Sequence, residues 1–417
     1  LGITLTKRAN GSASSVELAG FPYHALDVYL PKLVRAGERV AICEQLEDPK
    51  TVKGIVKRGV IELVTPGVAL SDNILENKEN TFLAAVYFGE KSTGVAFLDI
   101  STGEFYTSEG TDEYVGKLIS NFTPKAIVYQ RSQEGRFRTA FGERHYTYKL
   151  DEWVFSEDLN REKLCKQFGT TSLKGFGIDR MQSSVAAAGA ILYYLEFTEH
   201  KDIGHISSIS RIDEDKYVWV DRFTMRNLEL FGSNSPGGRG FAEVMDRTRT
   251  AMGGRMLKKW IALPVKDMAE IDRRLDIVGL LKDNPELSEV IGDALEQVSD
   301  IERIASRIAA RRVMPREVVQ LKHSLDAVEK VKKLFEESGD KRLAELAGRI
   351  DPLDEVRARI ATDIYPDPSN QIAKGGVMAD GVHMELDDLR RIALHCKEVI
   401  ADIQRRESEA TGIPSLK

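Results

Sequence analysis

The segment DISTGE, Asp99 to Glu104, places two carboxylates at neighbouring ends of apolar runs. A two-metal nuclease holds its cations with carboxylates at such strand ends. The same residues also make a hairpin turn in which Asp99 accepts from backbone amides, and no helix-borne acidic cluster stands elsewhere to complete a metal site. The turn reading is preferred. GEKST, Gly89 to Thr93, echoes a phosphate-binding loop but lacks the first glycine and spacer of G-x-x-x-x-G-K-[ST], and it joins two strands instead of opening a helix. DPKTVKGIVKR carries Lys50, Lys53, Lys57 and Arg58 close together. These could meet phosphates, although charge alone favours a solvated loop. Cys43, Cys165 and Cys396 are far apart, odd in number and in no metal spacing, which fits a reducing compartment and reads as buried thiols.

The chain has 417 residues, 42% of them apolar, enough for two to four domains. With 30% charged residues and a formal net charge of -6, its long-range field repels polyanions, so a nucleic-acid surface must be a local patch. No apolar run approaches the length of a membrane span, and no basic-plus-apolar leader stands at the start, so the cytoplasm is the default. The chain opens inside an apolar run without an initiator methionine and stops without tail composition, which reads as an internal piece of a longer protein.

Three zones follow along the chain. In residues 1–73, LGITL, RVAIC and VIELV read as short strands around a helix that starts near Ala25, with Leu26, Tyr29, Leu30 and Leu33 at helical spacing. Pro31 weakens that helix or restarts it, and Gly37 stops it. The helix is expected against a sheet edge. VTPGVALSDNILENKEN, with Pro66, Gly67 and a polar second half, reads as a linker.

Residues 74–200 read as an α/β layer. TFLAAVYF, GVAFLDI and GEFYTSE form an antiparallel meander, a helix runs to about Asn121, and PKAIVYQ supplies a further strand. This order is similar to the ribonuclease H architecture. The segment Val185 to Phe197 is apolar nearly all round and reads as a helix buried between domains. Residues 201–417 read as helical from about His205, with apolar stripes between charges. In MGGRMLKKWI, Gly253 and Gly254 permit close packing or a tight entry turn, Trp260 buries apolar area, and the charged positions stay wet. A single last helix from about Glu385 to Thr411 would be about 40 Å long, a strut or lever.

The order LTKR, AGFPYHA, VAICEQLEDP, VTPG, LDISTGEF, QFGT, GFGI, MRNLEL, MGGRMLKKWI, DIERI and GGVMADGVHMELDDLR resembles the bacterial MutS mismatch-repair family across almost the whole chain. The resemblance implies a multidomain α/β plus all-α protein. Residues 1–73 would be a mixed α/β mismatch-binding domain, 74–200 a ribonuclease H-like connector, and 201–417 the first part of a long-helix core or lever domain. It also implies that the wedge motif, Phe-x-Glu, lies upstream of LGITL, that the clamp follows GIPSLK, and that the ATPase domain lies further on. On that basis the chain would neither hydrolyse ATP nor scan for mismatches by itself. It would use no cofactor of its own, whereas the full-length protein would use ATP and Mg.

The implied partners are mismatched double-stranded DNA, MutL and, in the full-length protein, a second copy of itself. DNA-proximal positions would be Lys7 and Arg8, which neutralise phosphates, Leu18 and Gly20, which allow approach to the sugar edge, and Pro22 and His24. Each has a local alternative: Lys7 and Arg8 could end a strand in solvent, and His24 could start or pack a helix. Glu162 and Lys163 mark the connector segment where a MutL contact would fall, against the alternative of an exposed helix face. The competing functional class is an interaction scaffold without DNA affinity.

Overall fold

The computed structural model describes residues 2–10, 14–48, 51, 52, 54–71 and 73–413, so Lys50 and Lys53 lie outside the described residues. It divides into two compact units, Leu1–Val313 and Met314–Lys417.

The first unit opens with a hairpin of β1 (Leu5–Asn10) and β2 (Ser14–Ala19), paired from Leu5↔Ala19 to Asn10↔Ser14. The first strand therefore begins where LGITL ends. A 3-10 turn at Tyr23–Ala25 leads into a helix, Leu26–Arg35, that runs through Pro31 without a break. Leu30, Pro31 and Val34 are its buried residues. They pack on the antiparallel pair β3 (Val40–Gln45) and β4 (Arg58–Val64), in a cluster with Val64, Ala69 and Leu75. Only one face of this pair is covered: Val40 and Ile42 face the helix cluster, and Cys43 falls on the open side. The thiols are free but not uniformly buried, since Cys43 and Cys396 are exposed and Cys165 is half-buried. Strand alternation is the cause at Cys43.

The central layer is a six-stranded sheet. Its strands are β5 (Leu83–Phe88), β6 (Thr93–Asp99), β7 (Glu104–Gly110), β8 (Ala126–Gln130), β9 (Thr147–Leu150) and β10 (Ser210–Arg211), in the order β10-β7-β6-β5-β8-β9. The meander β5-β6-β7 is antiparallel, while β8 and β9 add in parallel on the β5 side. Every residue of β6 is buried because both faces of the sheet are covered. On one face, Ala85, Ala96, Leu98 and Val128 meet the helix Gln182–Phe197. On the other, Val86, Val95, Phe97 and Ile127 meet the helices Asp112–Phe122 and Glu134–Phe141. The Ala-rich helix thus lies on its own sheet, in a cluster that also takes in Val68, Leu70 and Ala310. The edge strand β10 comes from beyond residue 200, so residues 201–212 continue the sheet layer before the helices begin, with Ile206, Ile209 and Ile212 buried.

The linker expected at residues 64–80 is instead fixed. Val64, Val68, Ala69, Leu70 and Leu75 are buried, and Thr65 and Val68 bond each other across a tight turn. Among the helices that follow in this unit are Ala251–Ala262 and Ile301–Ala309; Thr250 caps the first by accepting from Gly253 N.

In the second unit the helix Pro315–Glu337 begins with proline in its first turn, and Glu317 accepts from Met314 N. Leu325, Ala327 and Val331 are buried on it, and the helices Lys341–Ala347 and Asp354–Asp363 follow, the former with Leu343 and Ala347 buried. The expected single last helix is two, Met384–Leu394 and Cys396–Thr411, broken at His395. Neither buries a residue, so no packing holds the poor helix formers His395 and Cys396 in register.

Candidate nucleic-acid interface and interdomain junction

The hairpin β1–β2 carries three of the expected DNA-proximal positions. Lys7 is exposed and pairs in register with Glu17, while Arg8 stands opposite Val16 and Leu18 opposite Thr6. Consecutive strand positions belong to opposite faces. The position of Lys7 therefore falls with Leu5 and Glu17, and that of Arg8 with Thr6, Val16 and Leu18. Strand register thus puts the backbone position of Arg8 on the face of Leu18 and that of Lys7 on the other, while the Arg8 side chain lies outside the described ones. Leu18 is 47% exposed, and a Cβ on Gly20 would meet nothing within 4 Å, so both leave room for a close neighbour. Pro22 is exposed, and its carbonyl accepts from Ala25 N at 2.8 Å. His24 is exposed in the 3-10 turn and is not packed. Beside it Phe21 stacks on Tyr29 at 4.6 Å, with Lys32 Nζ 5.0 Å from the Tyr29 ring centre. Sequence reading missed this stack, because Tyr29 registers there only as an apolar helix position.

β4 is tied to the sheet layer by polar contacts. Leu63 N donates to Thr198 O at 3.1 Å, and Arg39 stacks 4.6 Å from the Tyr148 ring centre. Glu62 accepts from Arg312 Nη1 through both oxygens, at 2.8 Å each, and lies 3.2 Å from His200 Nε2. Burial pushes the Glu62 carboxyl up, but the adjacent His200 and the bonded Arg312 outweigh it and lower the pKa to about 2.

The segment Glu76–Glu79 is clamped from the helical side. Arg303 Nη2 donates to the carbonyls of Glu76 and Glu79, both at 2.9 Å, and Arg255 Nη1 donates to Asn77 O at 2.9 Å. Arg255, 4% exposed, also pairs with Asp300 and Glu302 at 2.6–2.8 Å. Burial disfavours its charge, but these two carboxylates reverse that and hold the guanidinium protonated. Lys258 pairs with Glu79 at 2.9 Å, and Lys259 with Glu104 at 2.8 Å and with the Tyr106 hydroxyl at 2.7 Å. The charged positions of MGGRMLKKWI are therefore a clamp, which corrects the expectation that they stay wet. Trp260 is the residue left out, 42% exposed under the Arg274 guanidinium at 3.8 Å. Gly254 serves the clamp: a Cβ there would lie 2.7 Å from Cγ of Lys78.

Asp99 has the turn geometry. Its oxygens accept from Ser101 N at 2.9 Å, Ser101 Oγ at 2.7 Å, Thr81 N at 3.0 Å and Asn80 Nδ2 at 2.9 Å. Among the described residues no group of three His, Cys, Asp or Glu side chains could hold a metal ion, and no helix is long and apolar enough to cross a membrane. In the helix Glu157–Gln167, Glu162 is exposed. Lys163 is engaged within its own layer, 2.6 Å from Glu196 and 5.4 Å from the Tyr193 ring centre.

Comparison with known proteins accounts for these layers in order. MutS domain I matches residues 1–73, MutS domain II residues 81–207, and MutS domain III residues 223–413. The chain belongs to the MutS family. Over all 417 residues it is 53% identical to the DNA mismatch repair protein MutS of Phocaeicola vulgatus and of Bacteroides fragilis, and 54% identical to that of Bacteroides thetaiotaomicron. It spans 48% of the length of each, about half of the relatives it matches. In MutS terms the exposed hairpin is domain I, the six-stranded sheet is mostly domain II, and the clamp helices belong to domain III.

Proposed function

We propose that this chain is the DNA-contacting and relay portion of a mismatch-recognition protein. In this reading residues 1–73 are the mismatch-binding domain, 74–200 the ribonuclease H-like connector, and 201–417 the first part of the core or lever. The observation that carries it is the ordered match of three MutS domains, combined with a domain I hairpin whose described side chains are all exposed. The sheet order of β7-β6-β5-β8-β9, antiparallel then parallel, supports the connector reading.

Mismatched duplexes deform more readily than matched ones, so a protein that bends or unstacks DNA detects the defect as a lower deformation cost. The hairpin would supply sequence-independent contacts for that step. Lys7 and Arg8 would neutralise phosphates, Leu18 and Gly20 would approach the sugar edge, and Pro22 and His24 would border them. Because Lys7 and Arg8 fall on opposite faces, they would address different phosphates. The clamp and the Glu62 junction would pass changes between domains. ATP with Mg, and the homodimer, belong in this reading to the full-length protein, which would act in the cytoplasm. MutL would meet the connector near Glu162; Lys163 is the weaker choice because Glu196 already occupies it.

The test is the salt dependence of duplex binding by wild type and the double variant Lys7→Ala, Arg8→Ala. The double variant should bind matched and mismatched duplexes more weakly by similar factors, with the log–log salt slope reduced by up to about 2. Equal slopes would remove both residues from the interface. Absence of binding by wild type would favour the scaffold reading.

A further inference from the structure

We propose that Glu62, His200 and Arg312 form a latch that seats domain I on domains II and III through one shared carboxylate. The three residues fall in the matched ranges of three different domains. Glu62 lies on β4, His200 just beyond the helix Gln182–Phe197, and Arg312 just beyond the helix Ile301–Ala309. Arg312 Nη1 spans both Glu62 oxygens at 2.8 Å, while His200 Nε2 stands 3.2 Å from Oε1 and its Nδ1 3.0 Å from Thr198 Oγ1.

Three observations make this a releasable contact rather than ordinary core. The apolar cluster around Leu30, Val34 and Val64 is separate from both clusters of the sheet, and of the residues matched to domain I it is Val68 and Leu70, beyond β4, that join the sheet's cluster. β4 itself is tied to the neighbouring domains by polar contacts, the Glu62 trio and the Leu63–Thr198 backbone bond, with the Arg39–Tyr148 stack beside them. Beside the trio is a cavity of about 350 Å³ lined in part by Val60, Ile61, Leu70, His200 and Arg312. The Arg312 side chain is 40% exposed, so ions and water reach the latch from that side. Glu62 itself is buried, and losing a partner leaves a desolvated carboxylate that is relieved by exposing β4. Opening the latch would unseat β4 while the helix Leu26–Arg35 and the β3–β4 pair stay folded.

Hydrogen exchange of the whole chain, read by peptide mass, tests this in Arg312→Gln, Glu62→Gln and the double variant. The peptide over β4 and the peptide over residues 198–203 should exchange about tenfold faster in Arg312→Gln. Peptides over the helix Leu26–Arg35 and over β5 and β6 should change by less than about twofold. The double variant should be no faster than Arg312→Gln, because it leaves no buried charge. It also guards against a single variant that fails to fold. Lys201→Gln, which breaks the neighbouring exposed pair with Glu199, should leave all peptides unchanged. An unchanged β4 peptide would overturn the latch. Equal acceleration of the Leu26–Arg35 helix would also overturn it, since domain I would then be unfolding rather than unseating.

Discussion

The domain II sheet is covered on both faces, whereas the described side chains of the domain I hairpin β1–β2 are exposed on both of its own. β6 shows the first strategy: seven buried residues, with Phe97 stacked on Phe122 at 4.4 Å. β2 shows the second, with Val16 and Leu18 in solvent. Burial makes the sheet a scaffold that tolerates little change. The hairpin, with its described side chains exposed, buries little and leaves its surface open.

The largest expected effect breaks the sheet side of this comparison. Phe97→Ala removes a fully buried ring and should cost about 3–5 kcal/mol in urea unfolding, whereas Leu18→Ala should stay within about 0.5 kcal/mol. Comparable losses at the two sites would mean the hairpin is structural. Next comes the clamp. Arg255→Met removes the guanidinium from Asp300, Glu302 and the Asn77 carbonyl. The carboxylates left behind are partly solvated, so the loss should be about 1–3 kcal/mol, below the 3–5 typical of a fully buried pair. A loss within about 0.5 kcal/mol would return the Glu76–Glu79 segment to an ordinary linker.

The pH response is smaller and has a defined sign. Glu62 has a folded pKa of about 2 against an ordinary 4.5, so its stabilisation is fully present above 4.5 and is lost as pH falls toward 2. Glu104 shifts in the same direction: burial raises it, but Lys259 and the hydroxyl and amide around it lower it. Thermal unfolding between pH 5 and about 2.5 should show this loss, and Glu62→Gln should flatten part of it. A wild-type curve that is flat in that window would contradict the junction geometry.

How much of this was legible in the sequence depends on the range of the interactions. The strands of the meander and the Ala-rich helix came from periodicity within short windows, as did the helix that begins near Ala25. The Asp99 turn was legible because Ser101 is two residues away. The clamp was not: Arg255 and Arg303 read as ordinary helix charges because their partners at residues 76–79 lie far back along the chain. Glu62, inside VIELV, carried no local sign of its meeting with Arg312. Trp260 failed for the opposite reason, since a large apolar residue was assumed to be buried and Arg274 covers only one side of it. At the positions expected near DNA, resemblance named the residues, but only strand register separated Lys7 from the positions of Arg8 and Leu18.

The most direct test of the central claim, that this chain contacts DNA through sequence-independent positions, is fluorescence anisotropy against a G·T-mismatched duplex and its matched control across a salt series. Salt-sensitive binding to both duplexes, with no preference for the mismatch, is the expected result. No binding to either at low salt would contradict it and leave the chain a partner-binding scaffold.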